Sequence, residues 1–248
     1  MLKYAVRWGH LARNVATMVD PPRQLPREMQ VWDEEQVRLF LAEAKRSSPH
    51  HVLYLTAILG GLRSGELAGS AGRMWTSPSA WRMSDRPSCA SGKQQFFKAP
   101  KTAASRRTVA LPPAIVEALR QVRSDQEENR RLLGADYHDH GLVFCQADGK
   151  PLHMRNVVQR DFREVTKRAG VPRITFHQLR HAHASYLARA GVDPKTIQTR
   201  LGHSTPHFSL RVYAHTLPGQ QEAAALAVEE QLLGTRRTKG LAEEVSRL

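Results

Sequence analysis

Apolar residues recur at helical spacing in one segment after another, and most of these segments stop at a glycine. That pattern confines the chain to a mostly helical fold. Asp33 reads as an N-cap, with Gln36 three residues on, before Val37, Phe40, Leu41 and Ala44 on one helix face. Residues 52–59 form an apolar helix ended by Gly60 and Gly61. Ser64 reads as the cap of a helix that begins Gly65-Glu66-Leu67. Further helices are expected over 114–133, 157–169, 177–190, 194–201 and 222–233, the last followed by a charged tail. Residues 2–18 read as the end of a helix, stopped by Pro21 and Pro22. Residues 93–98 and 107–111 read as two strands around a turn at Pro100, Lys101, Thr102 and Ala103. Residues 69–91 show no usable period. The expected fold class is mainly α with a small antiparallel β-sheet.

Charge narrows the partner. The chain has 37 Lys and Arg against 23 Asp and Glu, a net charge of +14. Between residues 150 and 220 there are 12 Lys and Arg against 3 Asp and Glu. Clustering of this kind points to a polyanion, most often nucleic acid, rather than to general solubility. Cys89 and Cys145 are the two cysteines, which leaves no disulfide framework and no Cys-rich zinc site. No apolar run approaches the roughly 18 residues of a membrane span, and no signal-peptide stretch follows Met1. A cytoplasmic protein without a membrane partner is the expectation.

Three strings carry candidate chemistry: Gly61-Leu62-Arg63-Ser64-Gly65-Glu66-Leu67, His177-Gln178-Leu179-Arg180-His181, and Leu201-Gly202-His203-Ser204. Tyr213 lies ten residues after His203, and His215 two beyond it. In this order and spacing they resemble the catalytic domain of the tyrosine recombinases, the phage integrase family. The resemblance runs from about Trp32 to Pro218. It extends to Lys101, because the stretch from Pro100 to Pro112 looks like the family's β-hairpin that carries a catalytic lysine. It implies a site of Arg63, Lys101, His177, Arg180, His203 and Tyr213, acting on double-stranded DNA. It implies a homo-oligomer, a tetrameric synapse on DNA, with the C-terminal segment over 221–248 docking onto a neighbouring subunit; a helix folded back on its own core is the alternative. It also implies site-specific cutting and rejoining of DNA; a degenerate, non-catalytic DNA-binding remnant is the alternative.

The residue chemistry agrees with that implication. Tyr213 can attack phosphorus and form a covalent intermediate. Arg63 and Arg180 can hold the non-bridging oxygens through planar forks. Lys101 can protonate the leaving 5′ oxygen, His177 can assist proton transfer from Tyr213, and His203 can donate to the phosphate. No cofactor is required. His181, one turn past His177, reads better as a core or supporting residue, and His215 is a weaker candidate. A metal site at His177, His181 and His183 is the competing reading. No HExxH string or acidic cluster accompanies these histidines, and two arginines beside them oppose a cation.

Two departures from the family pattern stand out. About thirty residues precede Trp32 where the family places a DNA-clamping domain, so residues 1–27 read as that domain's last helix and linker. The catalytic domain is then expected over 28–220, and a C-terminal helix with its tail over 221–248. The second departure is residues 69–91. Met74 and Trp75 can be encoded only as ATG-TGG, and Thr76 as ACN. Read one base earlier, this gives Val-Asp. With permissive codons, residues 70–77 become Leu-Arg-Trp-Glu-Asp-Val-Asp-Leu, which resembles the family's continuation. A frameshifted segment is the expectation here; an unusual insertion is the alternative.

Overall fold

The computed structural model describes residues 2–19, 30–70, 75–77, 80–83, 88–91, 94–97 and 107–202; for the four strands between residues 75 and 97 it describes the backbone. The chain divides into two units, Met1–Gln30 and Val31–Leu248.

The first unit holds helix α1 (Leu2–Arg7) and a 3-10 turn at Val15–Met18. The single helix expected through residue 18 is therefore broken. Gly9, at φ +76°, leaves the helical region, and the Asn14 side chain caps the second piece by accepting from the Ala16 N–H at 3.1 Å.

The second unit opens with α2 (Glu34–Ser47). Its capping box is the one read from the sequence: Asp33 accepts from the Gln36 N–H at 2.8 Å, and the Gln36 side chain accepts from the Asp33 N–H at 3.1 Å. Helix α3 (His51–Gly60) is apolar on nearly every side, so it runs through the core, against α2, α5 (Pro113–Leu133) and α8 (Phe176–Arg189). It ends at Gly61 in the left-handed region. Helix α4 (Ser64–Ala68) begins one residue earlier than read. Arg63, with extended backbone, occupies the N-cap in place of Ser64, because the Glu66 carboxylate takes the Arg63 N–H at 2.8 Å. Helix α5 buries Ile115, Val116 and Leu119 in its first half and exposes its charged second half.

The helix expected over 157–169 is interrupted. A short α6 (Met154–Asn156) leads into a π-helical turn (Val157–Asp161), and α7 (Phe162–Arg168) follows. The turn carries Asp161, which accepts from Ser48 Oγ at 2.6 Å and from the Tyr54 hydroxyl. Helix α8 is capped by Thr175 in a capping box with Gln178, and α9 (Pro194–Leu201) is stopped by Gly202, also left-handed.

Aromatic rings fill the middle. Trp32, Phe40, Tyr54, Phe162 and Phe176 are all buried, with ring centroids 4.8–6.3 Å apart. Trp32 Nε1 donates to the Pro172 carbonyl at 2.7 Å, and the Tyr186 hydroxyl donates to the Trp32 carbonyl at 2.6 Å. A smaller cluster, Ala184, Ala188, Ile197 and Leu201, joins α8 to α9.

Strands β1 (Trp75–Ser77), β2 (Ala80–Met83), β3 (Ser88–Ser91), β4 (Gln94–Phe97) and β5 (Arg107–Ala110) form two antiparallel sheets, β1-β2-β5 and β3-β4. The aperiodic stretch thus supplies three strands. The two runs read as partners across Lys101 lie in different sheets: β5 pairs with β2 from Ala80↔Ala110 to Met83↔Arg107, while β4 pairs with β3. The alternation on β5, with Arg107 and Val109 buried and Thr108 and Ala110 exposed, marks the face turned to the core.

Candidate active site

Arg63 is the N-cap of α4, two residues after the Gly61 stop of α3, so its position follows from a helix end at Gly60 and a helix start at Ser64. Arg180 sits in the middle of α8, and its side chain is 2% exposed. His177 lies one turn earlier on the same helix. These three residues meet, although 119 positions separate the α8 arginine from the Gly61 carbonyl that it contacts.

The meeting point is the C-terminal end of α9. Three successive carbonyls there are each taken by a different arginine. Arg107 Nε donates to the Arg200 carbonyl at 2.6 Å, Arg180 Nη2 to the Leu201 carbonyl, and Arg63 Nη2 to the Gly202 carbonyl at 2.8 Å. Carbonyls at a helix end lack intrahelical partners and carry the negative end of the helix dipole, which suits guanidinium donors.

Glu66 lies behind the arginines as their shared carboxylate. Arg107 grips both of its oxygens, Nη1 to Oε1 at 2.8 Å and Nη2 to Oε2 at 3.1 Å. Arg63 Nη1 reaches Oε1 at 3.0 Å, and Arg180 Nη1 stands 3.9 Å from Oε2. Burial works against the Glu66 charge, but Arg107 and then Arg63 and Arg180 overcome it, so its pKa lies below the usual carboxylate value. One carboxylate therefore faces three guanidiniums, leaving two positive charges in excess.

Arg180 is held by carbonyls at Nη1 (Gly61, 2.7 Å) and Nη2, but its buried Nε–H has no hydrogen-bond partner among the described residues. A buried donor left open in this way fits an acceptor supplied from outside. Burial first, and then the Arg63 charge, lower the Arg180 pKa to about 9, which leaves it charged at neutral pH. His177 feels the same surroundings. Burial, then Arg180, then Arg63 lower its pKa, so the ring is neutral at pH 7 and able to accept a proton. His181 packs edge-on against it at 4.7 Å between centroids, in keeping with a supporting role.

His183 belongs elsewhere. It is buried, bonded to the backbone of Ile58 and accepting at Nε2 from Arg200 Nε at 3.1 Å. Burial and Arg200 lower its pKa to about 4. With its ring committed to Ile58 and Arg200, it is a structural histidine, and no group of three or more His, Cys, Asp or Glu suited to a metal occurs among the described residues. Lys101, His203 and Tyr213 lie outside the described residues, as do His215 and the helix expected at 222–233.

Sequence reasoning passed over Glu66, Arg107 and Arg200. Glu66 stood inside a quoted string, and its spacing from Arg63 was a signal for the reverse capping bond. Arg107 carried no local signal, because its partners lie 41 and 93 positions away.

The phage integrase family model matches residues 30–219. A tyrosine recombinase XerC-like protein from Caldanaerobacter subterraneus subsp. tengcongensis is 29% identical over 242 residues, covering 89% of this chain and 61% of the relative. An integrase from Streptomyces ambofaciens is 41% identical over 116 residues, 46% of this chain and 30% of the relative. Tyrosine recombinase XerC of Brucella melitensis is 32% identical over 189 residues, 74% of this chain and 53% of the relative. The chain thus spans at most 61% of the length of these relatives. Among solved structures, the Tn1549 transposon integrase in complex with circular intermediate DNA superposes with a TM-score of 0.69 at 19% identity, covering 91% of this chain and 75% of that one. The catalytic domain of bacteriophage HP1 integrase gives 0.54 at 19% identity, covering 83% and 98%. At these identities the likeness is one of fold.

Proposed function

The chain belongs to the phage integrase family, and we propose that it is a site-specific recombinase domain that cuts and rejoins DNA through a covalent 3′-phosphotyrosine intermediate. The observation that carries this reading is the convergence of Arg63 and Arg180 beside a neutral His177, with the Arg180 Nε–H left open. Two excess positive charges suit a phosphodiester that gains a second negative charge as it is attacked.

In the proposed step, the Tyr213 hydroxyl oxygen attacks the scissile phosphorus. The O–P bond forms and the P–O5′ bond breaks. The phenolic proton passes to His177, and Lys101 protonates the leaving 5′ oxygen. Arg63 and Arg180 hold the non-bridging oxygens, and His203 donates to one of them. The ester is conserved in the phosphotyrosine bond, so attack by another 5′ hydroxyl reseals the strand, and the scheme needs no cofactor.

The partner is double-stranded DNA, and the working assembly is a homo-oligomer, a tetrameric synapse on that DNA. Fold neighbours solved with DNA, the Tn1549 integrase with transposon right-end DNA and XerH with its difH substrate, support the first part. Among the described residues no helix is long and apolar enough to cross a membrane. A cytoplasmic site of action is part of the same proposal. The test is incubation with nicked suicide duplexes of candidate attachment sites. The unaltered chain forms a protein–DNA adduct that resists denaturant. Tyr213→Phe abolishes it and leaves DNA binding intact, since one oxygen is lost. An adduct formed by the Phe variant contradicts the mechanism. Binding without any adduct points to a non-catalytic remnant.

A further inference from the structure

We propose that Arg107 is a positioning residue for the recombination chemistry: its guanidinium occupies Glu66 so that Arg63 and Arg180 remain available to the scissile phosphate. The inference rests on the function proposed above.

Three observations carry it. The Arg107 guanidinium is bidentate on Glu66, whereas the Arg63 guanidinium makes one contact to the same carboxylate and Arg180 stands 3.9 Å away. A fork on both oxygens is the strongest pairing an arginine makes with a carboxylate. Arg107 is also buried, its side chain 4% exposed, so it is no candidate for touching DNA itself. Its third donor, Nε, goes to the Arg200 carbonyl, which joins β5 to the end of α9 two residues before Gly202.

The physical consequence concerns competition. Glu66 is a buried anion beside two arginines whose task is to bind another anion. While Arg107 saturates its oxygens, the carboxylate makes a weaker claim on Arg63 and Arg180. Without Arg107, Glu66 has those two cations as its close partners among the described residues. It then closes on them, and one positive charge is lost from the site. The phosphate then meets two arginines that share one carboxylate, one positive charge fewer than before. Glu66 keeps a use of its own, since its carboxylate caps the Arg63 N–H and aims that residue.

This reasoning separates positioning from simple structural support. If Arg107 only held the fold, removing Glu66 as well would leave the protein no better. If Arg107 restrains Glu66, then replacing the carboxylate by an uncharged amide relieves the competition.

The experiment measures the rate of adduct formation on a nicked duplex for the unaltered chain, Arg107→Ala, Arg107→Lys and the double variant Arg107→Ala/Glu66→Gln, with thermal unfolding of each. Arg107→Ala slows the adduct by about 100-fold, the scale of losing one aligned donor, with DNA affinity changed by less than about 3-fold, as expected of a side chain that makes no phosphate contact. The double variant recovers about 10-fold of that loss, a non-additive coupling. Arg107→Lys keeps the charge without the fork and falls between the two. Should Arg107→Ala fail to fold, the same rescue by Glu66→Gln is read in the Arg107→Lys background. A double variant slower than or equal to the single variant, with both folded, overturns the inference.

A second readout separates failure of this inference from failure of the proposed function. Inorganic phosphate is titrated while the side-chain N–H signals of Arg63 and Arg180 are followed by NMR. If the unaltered chain makes no adduct, the recombination reading fails, and the titration still decides the role of Arg107. Phosphate binding weakened at least 10-fold by Arg107→Ala and restored by Glu66→Gln upholds it. Equal affinity in the unaltered chain and Arg107→Ala overturns it.

Discussion

The His183 imidazole closes over the α-carbon of Gly61: a β-carbon built there would stand 2.5 Å from His183 Cδ2 and 2.9 Å from Leu201 Cδ2. Gly61 also has φ +64°. Gly61→Ala therefore meets two penalties at once. The left-handed backbone costs about 1–2 kcal/mol for a residue with a β-carbon. Overpacking a buried ring costs about 1–3 kcal/mol more. Urea unfolding should show a loss of about 2–5 kcal/mol. A loss under about 1 kcal/mol would mean that α3 and α8 part easily, contrary to their close packing.

His183 itself makes stability depend on pH. Its folded-state pKa, about 4, lies below the ordinary value of 6.5 because burial and Arg200 oppose the charge. Between these values the unfolded chain binds a proton that the folded chain does not. The stability this site contributes is full above pH 6.5 and is lost as pH falls toward 4, by about 3 kcal/mol in all. His183→Gln removes the titration, so its unfolding free energy should change less between pH 7.5 and 4.5 than that of the unaltered chain. Equal pH dependence in both would refute the assignment.

His177 titrates in the same direction with a different readout. Burial, Arg180 and Arg63 all hold it neutral, so it takes up a proton only below its ordinary pKa. If it accepts the proton of Tyr213, the adduct rate falls as acid protonates the ring, with a midpoint below the ordinary histidine value of 6.5. Arg63→Gln removes one opposing charge and moves the NMR midpoint of the His177 ring protons upward, toward 6.5. A midpoint above 6.5 in the unaltered chain rules out the neutral base.

The helices were legible because their ends carry chemistry. Asp33 with Gln36 marked one start, and Gly61 and Gly202 marked two stops that the backbone does place in the left-handed region. The break after Arg7 was missed because the apolar residues beyond Gly9 continue at near-helical spacing. The π-helical turn at Val157–Asp161 was missed because Val158, Phe162 and Val165 fit an ordinary helical spacing, whereas the extra residue in the turn buries Val157, five positions before Phe162, and leaves Val158 half-buried. Strands β1, β2 and β3 are three or four residues long and lack alternation, so pairing of β1 with β2, β2 with β5 and β3 with β4, not their own composition, defines them. In the site, Arg63, His177 and Arg180 could be read from strings. The Arg107–Glu66 pair could not, because a contact across 41 positions exists only once the chain is folded.

Residues 69–91 yield a prediction at the level of the gene. If the segment is frameshifted, a chain carrying Leu-Arg-Trp-Glu-Asp-Val-Asp-Leu at 70–77 and Val-Arg-Ser-Ala-Val-Leu-Arg-Val at 84–91 gains strand-forming and apolar residues where β3 lies and one apolar residue where β1 lies. Its urea midpoint should rise above that of the present chain. A lower midpoint favours an insertion to which the surrounding sequence is adapted, and the nucleotide sequence settles which shifts occurred.

The three arginine-bound carbonyls at the end of α9 set a rule about chain length. An extra residue within α9 turns everything after it by about 100°. Arg107, Arg180 and Arg63 would then each face the wrong carbonyl, or none, and all three contacts would fail together. Insertions and deletions should therefore be excluded from residues 194–202. The outer half of α5 is different: it exposes Leu132 and most of its charges, and its end caps nothing in the site. A whole turn added or removed there leaves the arginines where they are. Members of this lineage are expected to vary in length at the far end of α5 and to hold α9 to a fixed count.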